Sequence, residues 1–154
     1  MIRKFKIEDI DFVMDIWLKG NIKAHDFIDE EYWKDNFEIV KGMIPKADVY
    51  VYEDNGCIEG FAGVMDGYIA GIFVRADMQS KGIGKELIEE CRKDYETLSL
   101  SVYEKNKGAV SFYLREGFVI DKKKNDESTG EAEYLMVLRN KILIIKSSMI
   151  DDFT

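Results

Sequence analysis

The chain has 154 residues, 46% of them hydrophobic and 34% charged, with a formal net charge of −8. That size suits one domain with one core, and the apolar content argues against disorder. The acidic balance disfavours binding to phosphate backbones, and the expectation is no nucleic-acid partner.

No apolar run approaches the roughly 18 residues needed to cross a bilayer, so no membrane association is expected. The N-terminal segment, Met1-Ile2-Arg3-Lys4-Phe5-Lys6, is basic and lacks the apolar stretch of a secretory signal. Cys57 and Cys91 stand alone, outside any CxxC pair, and with the single histidine they cannot build a Cys/His zinc site. Both read as buried thiols of a reducing compartment, and the expectations are a cytoplasmic location and no metal.

In chain order, residues 1–7 read as an edge strand. Glu8, Asp9 and Asp11 put negative charge in the first turn of a helix whose apolar stripe is Ile10, Val13, Met14 and Trp17. A loop is expected over 21–28. Asp29 is an N-cap for a second helix, which buries Trp33, Phe37, Val40 and Ile44 and ends near Pro45. Strands follow at 49–52, 57–65 and 68–74, joined by the turn dipeptides Asn55-Gly56 and Asp66-Gly67. Ile83, Leu87, Ile88 and Cys91 mark one face of a third helix. Leu98, Leu100 and Val102 alternate as a strand, and 109–116 is a short helix stopped by Gly117. Two strands, 118–120 and 134–138, flank a polar connection at 122–131. Beyond Leu138 the segment Ile142-Leu143-Ile144-Ile145 fits a strand, a docking helix or an oligomer contact. The expected class is α/β (α+β), with helices around a largely antiparallel sheet. Residues 1–138 form the domain and 139–154 a tail.

The chemistry concentrates at a strand-to-helix junction, Val74 to Lys85. Two glycines there, Gly82 and Gly84, let the backbone come close to a bound group, and the first amides of the helix have no internal partners. Such a helix start binds phosphate. A P-loop is excluded because GxxxxGK[ST] does not occur. A dinucleotide fingerprint fails because Leu87 stands where its third glycine belongs, and because hairpins precede it.

Gln79-Ser80-Lys81-Gly82-Ile83-Gly84 resembles the [RQ]-x-x-G-x-[GA] pattern of the GCN5-related N-acetyltransferases (GNAT). Asn106-Lys107-Gly108-Ala109-Val110-Ser111-Phe112-Tyr113-Leu114-Arg115-Glu116-Gly117-Phe118 resembles the second signature of the same family, one helix and one strand downstream. The resemblance, which extends over most of residues 1–138, implies a GNAT fold with a splayed central strand pair. It implies an N-acetyltransferase that uses acetyl-CoA as co-substrate and attacks directly with an amine in a ternary complex. Ile72, Phe73 and Val74 would pair with the pantetheine arm. The backbone of Gln79, Ser80, Lys81, Gly82, Ile83, Gly84 and Lys85 would hold the pyrophosphate, and a strand amide would bind the acetyl oxygen. Asn106 would contact the cofactor arm and Tyr113 would be the general acid.

The resemblance places no base. Glu59, Asp66, Tyr68, Glu104 and the His25-Asp26 pair are the candidates by position. His25 and Tyr68 are also candidates for the acceptor side, though His25 equally suits a residue that orders its own loop. The string His25-Asp26-Phe27-Ile28 with Tyr32-Trp33 resembles a bacterial subgroup of the family. Trp17, Trp33, Tyr50 and Tyr52 would wall an acceptor pocket or, for the tryptophans in particular, fill the core. The amine is open between protein and small-molecule acceptors, and the chain between monomer and homodimer. The alternative function is a non-catalytic acyl-CoA-binding regulatory module.

Overall fold

The computed structural model describes residues 1–139. Four helices flank a seven-stranded sheet. The strands are β1 (Ile2–Lys4), β2 (Asp48–Asp54), β3 (Cys57–Met65), β4 (Tyr68–Val74), β5 (Thr97–Tyr103), β6 (Val119–Asn125) and β7 (Ala132–Arg139). The helices are α1 (Ile10–Ala24), α2 (Glu30–Met43), α3 (Ile83–Arg92) and α4 (Lys107–Arg115). The sheet order is β1-β2-β3-β4-β5-β7-β6, and every neighbouring pair is antiparallel except β4 and β5.

Period-two alternation divides the core between the two faces of the sheet. On β2, Val49 and Val51 face one cluster with Val13, Met14, Trp17 and Trp33 of α1 and α2. Tyr50 between them faces the other cluster, where Ile83, Leu87, Ile88 and Cys91 of α3 meet Tyr113 and Phe118. The apolar stripes of α1 and α3 therefore pack as their spacing dictates.

Asp29 caps α2 by accepting the Glu31 amide at 2.9 Å. The turns Asn55-Gly56 and Asp66-Gly67 all take positive φ, as tight hairpins require. A second device ties β1 to the start of α1. The Arg3 guanidinium grips both carboxylate oxygens of Asp9, at 2.8 and 2.9 Å, and also reaches Glu53. Asp9 is buried and also accepts the Lys6 amide.

Three sequence expectations need correction. Residues 21–24 continue α1, because Asn21 turns its side-chain amide back to the Trp17 carbonyl at 2.9 Å and stays buried in the helix. The polar stretch from Lys122 to Asn125 is strand, because β7 gives it a ladder partner across a register shift after Ile120. Its lysines lie exposed on the outermost strand, where charge discourages edge-to-edge pairing. Cys57 is exposed at the start of β3, and only Cys91 is buried. The segment 142–145 lies outside the described residues.

Candidate active site

The site begins with a defect in the sheet. β4 and β5 are each seven residues long, yet their ladder holds only at Tyr68↔Ser99 and Ile69↔Leu100. Past those pairs the two parallel strands part, and the cleft opens toward their C-terminal ends. The parting starts at a bulge. Gly71 faces Gly63 and Ile69 faces Val64, which leaves Ala70 unopposed on β3. A bulge bends its strand and interrupts pairing. Gly71 is required there, since a Cβ would lie 2.2 Å from the Phe73 ring. That ring stacks on Phe61 at 5.1 Å. Backbone polar groups cannot stay unpaired in a dry interior, so the edges of β4 and β5 call for a ligand or water between them.

The loop after β4 curls around the mouth of the cleft. Arg75 forms a two-point ion pair with Asp77, and the Gln79 amide donates to the Val74 carbonyl at 3.2 Å. Ser80 and Gly82 both take left-handed φ, +63° and +85°, the kind of backbone from which anion-binding nests are built. Gly82 is the N-cap of α3 and offers no side-chain acceptor. The first helical bond runs from the Glu86 amide to the Gly82 carbonyl, so the amides of Ile83, Gly84 and Lys85 stay outside the ladder. The two glycines do different work. Gly82 supplies the backbone conformation, whereas a Cβ on Gly84 would meet the Phe112 ring at 3.1 Å, where α3 packs on α4.

Phe112 is a packing residue, and its neighbour Tyr113 lies in the same core cluster as Ile69 and Leu100, the last pair of the β4–β5 ladder. Tyr113 is buried, and its hydroxyl has no hydrogen-bond partner among the described residues. Burial first, then the Cys91 thiol and the Tyr68 hydroxyl, push its pKa well above the ordinary phenol value. Its proton is therefore held at neutral pH and shared with no neighbour. Burial also pushes the Cys91 thiol up to about 12, which leaves it inert as a nucleophile.

Asn106 is the N-cap of α4. Its Oδ1 accepts the Ala109 amide at 3.3 Å, and its Nδ2 lies 3.2 Å from His25 Nε2. His25 ends α1, with Nδ1 3.0 Å from the Asn21 carbonyl and its ring stacked on Trp33 at 5.1 Å. Both ring nitrogens are thus engaged, and burial lowers the pKa. Asp26 follows in the same loop, where Phe27 packs on Tyr103. Glu104 accepts from Lys123 at 2.7 Å and from the Tyr134 hydroxyl at 2.9 Å, and these bonds hold its carboxyl below the ordinary value. Glu59 lies buried on β3, and Asp66 sits in the hairpin turn with φ +50°. Tyr68, 41% exposed, opens β4 at the closed end of the cleft. Trp17, Trp33 and Tyr50 are core residues, and Tyr52 packs against the core on the α3 side.

Two features went unread in the sequence. The bulge at Ala70 had one signal, a glycine inside a strand. A groove of about 670 Å³ separates α1 from the loop after β4, with Lys19, Lys23, Arg75, Asp77 and Gln79 in its lining. Its signal was the pair of lysines one helical turn apart, which places them on one face.

The parting strand pair and the uncapped helix start lie where the two sequence signatures fall. The acetyltransferase (GNAT) domain model matches residues 45–120. Peptidyl-lysine N-acetyltransferase YiaC of Escherichia coli is 32% identical over 131 residues, which cover 83% of this chain and 90% of YiaC. The solution structure of apo YjaB from Escherichia coli superposes with a TM-score of 0.79 at 24% identity, over 89% of this chain and 95% of that one. YncA of Salmonella typhimurium, solved with acetyl-CoA, gives a TM-score of 0.63 at 15% identity over 91% and 93%. The chain belongs to the GNAT acetyltransferases, and it is an enzyme that transfers acetyl groups from acetyl-CoA.

Proposed function

We propose that the acceptor is the side-chain amine of a protein lysine, and that it attacks acetyl-CoA directly in a ternary complex. The observation that carries the mechanism is the cleft itself. One edge is the stretch Ile72, Phe73 and Val74, which has left the β5 ladder, the helix start beside it offers the amides of Ile83, Gly84 and Lys85, and the core cluster that includes Ile69 and Leu100 holds the Tyr113 phenol. The lysine assignment leans on the names of the similar enzymes, both peptidyl-lysine N-acetyltransferases. The net charge of −8 favours a cationic partner.

In this reading the diphosphate sits on the nest at Ser80 to Lys85, with Lys81 and Lys85 at its rim, and the pantetheine arm completes the edge of β4. A β4 amide at the bulge takes the acetyl oxygen and stabilises the oxyanion. The amine nitrogen bonds to the acetyl carbon, the carbon–sulfur bond breaks, the departing thiolate takes the Tyr113 proton, and the new amide nitrogen releases its surplus proton to solvent. Solvent then restores the phenol. An alkyl ammonium has a pKa near 10.4, so about one lysine in two thousand is neutral at pH 7, and the amine must first lose a proton. Glu104 is weakened as a base by its two donors, and His25 by its two bonds. Tyr68 stands exposed at the closed end of the cleft and is the residue on which an attacking amine would first rest. The two thiols carry no covalent step, and the enzyme works in the cytoplasm, where Cys57 stays reduced.

Calorimetric titration with acetyl-CoA tests the donor site. Wild type binds at one to one, and Lys81→Glu, which sets a carboxylate at the exposed rim of the nest, binds about tenfold more weakly while circular dichroism stays native. Thiol release with lysine peptides then tests the acceptor. Turnover with small amines and none with peptides would overturn the lysine assignment.

A further inference from the structure

The His25–Asn106 contact joins residues 81 positions apart, at the C-terminus of α1 and the N-cap of α4. Its proton arrangement follows from its neighbours alone. The Ala109 amide is a donor, so it requires the oxygen of the Asn106 side chain, at 3.3 Å. The NH2 group of Asn106 must then face His25 Nε2, at 3.2 Å. Nε2 must accept, so the ring proton lies on Nδ1, where the Asn21 carbonyl receives it at 3.0 Å. One relay of three bonds therefore runs from the last turn of α1 to the first turn of α4, with one proton arrangement that satisfies every member.

We propose that His25 is a positioning residue for the donor side, which fixes the orientation of the Asn106 amide at the mouth of the cleft. The inference rests on the reading that Asn106 contacts the cofactor arm. With Oδ1 spent on the helix cap and one Nδ2 hydrogen on His25, Asn106 keeps one N–H for a ligand. Without an acceptor at Nε2 the amide is held by the Ala109 cap bond alone, and the remaining N–H is aimed less tightly. The ring itself cannot turn to escape, because Trp33 stacks on it and Phe27 and Tyr103 press its edges. The relay also explains why a buried histidine, rather than another aromatic, fills this position.

The chain has a single histidine, so its imidazole nitrogens can be read without assignment by long-range ¹H–¹⁵N correlation at pH 7.5. The expected pattern is a neutral ring protonated at Nδ1, the reverse of the tautomer that free imidazoles favour. His25→Phe keeps the ring packing and removes the acceptor. His25→Gln offers a carbonyl near the Nε2 position. One lost hydrogen bond of about 1 kcal/mol corresponds to a roughly fivefold change. His25→Phe should therefore raise KM for acetyl-CoA about fivefold, His25→Gln should recover most of that loss, and the effect should fall on KM rather than kcat. In an Asn106→Ala background, His25→Phe should add nothing. A ring protonated at Nε2 overturns the proposal, as does a His25→Phe enzyme with wild-type KM, or effects that add with Asn106→Ala. If Asn106→Ala alone left acetyl-CoA binding intact, the donor-arm reading of Asn106 would fall instead, and the tautomer would still report the relay.

Discussion

Tyr113 and Arg3 illustrate two fates of a polar group placed against a core. Tyr113 has no partner for its hydroxyl among the described residues, and burial makes the phenol reluctant to ionise. That suits a group which must hold a proton until a thiolate appears beside it. Tyr113→Phe removes one oxygen and leaves the ring that packs on Phe112 and Phe118. We expect kcat to fall by about 10²-fold or more, in the range for loss of a general acid, with the acetyl-CoA Kd unchanged within about twofold. Stopped-flow thiol release and calorimetry separate the two quantities. Arg3 is partnered in full. Arg3→Ala leaves the Asp9 carboxylate buried without its cation, and should cost about 1–3 kcal/mol in a urea titration at pH 7.

At the scale of an element, β4 is a strand made to fail at a chosen point. Its first two residues pair with β5, its bulged third is unopposed, and the rest leaves the β5 ladder. Gly71 belongs to that design, because the Phe73 ring lies where a side chain would go and is itself wedged between Phe61 and Gly20. Gly71→Ala should destabilise the fold by about 1–3 kcal/mol through overpacking, seen as a lower denaturation midpoint. It should also weaken acetyl-CoA binding, since the bulge sets the direction of the cleft edge. Helix α3 shows the complementary economy. Its buried stripe of Ile83, Leu87, Ile88 and Cys91 anchors it, so its first amides are free to face a ligand without loss of the helix.

Over the whole molecule, two buried groups contribute to the response to acid. Burial lowers the His25 pKa from 6.5, so the unfolded chain binds that proton more readily than the native one. Its neighbours are the Tyr103 ring from β5, Trp33 from α2, and Asn106 before α4, with Asp26 and Phe27 in its own loop and Lys105 over Phe27. Stability is therefore full above pH 6.5 and declines as pH falls from there toward the lowered value. The Arg3 hydrogen bonds lower Asp9 from 3.8, so a second decline begins below about pH 3.8. Thermal unfolding across pH 3–8 should show both steps, and His25→Phe should abolish the upper one alone.

The sequence by itself determined the local order of the molecule. Strand β3 runs from turn dipeptide to turn dipeptide and β4 starts from the second, α2 starts at its aspartate cap, and the glycine start of α3 and the Asn106-to-Phe118 string carried the family resemblance, because these are patterns among residues close in the chain. Lys122 to Asn125 looked like a loop because its strand character comes from β7, and no alternation marks a strand exposed along its whole length. The parting of β4 from β5 was implied only by the family resemblance. Its physical cause, a bulge and a ring packed over Gly71, exists only once β3, α1 and β4 are assembled. His25 stood out in the sequence as a candidate base or acceptor-side residue by its position. Only the tertiary structure, by bringing it to Asn106 and Asn21, decided that both its nitrogens are occupied, because hydrogen-bond partners far apart in sequence are chosen by the fold.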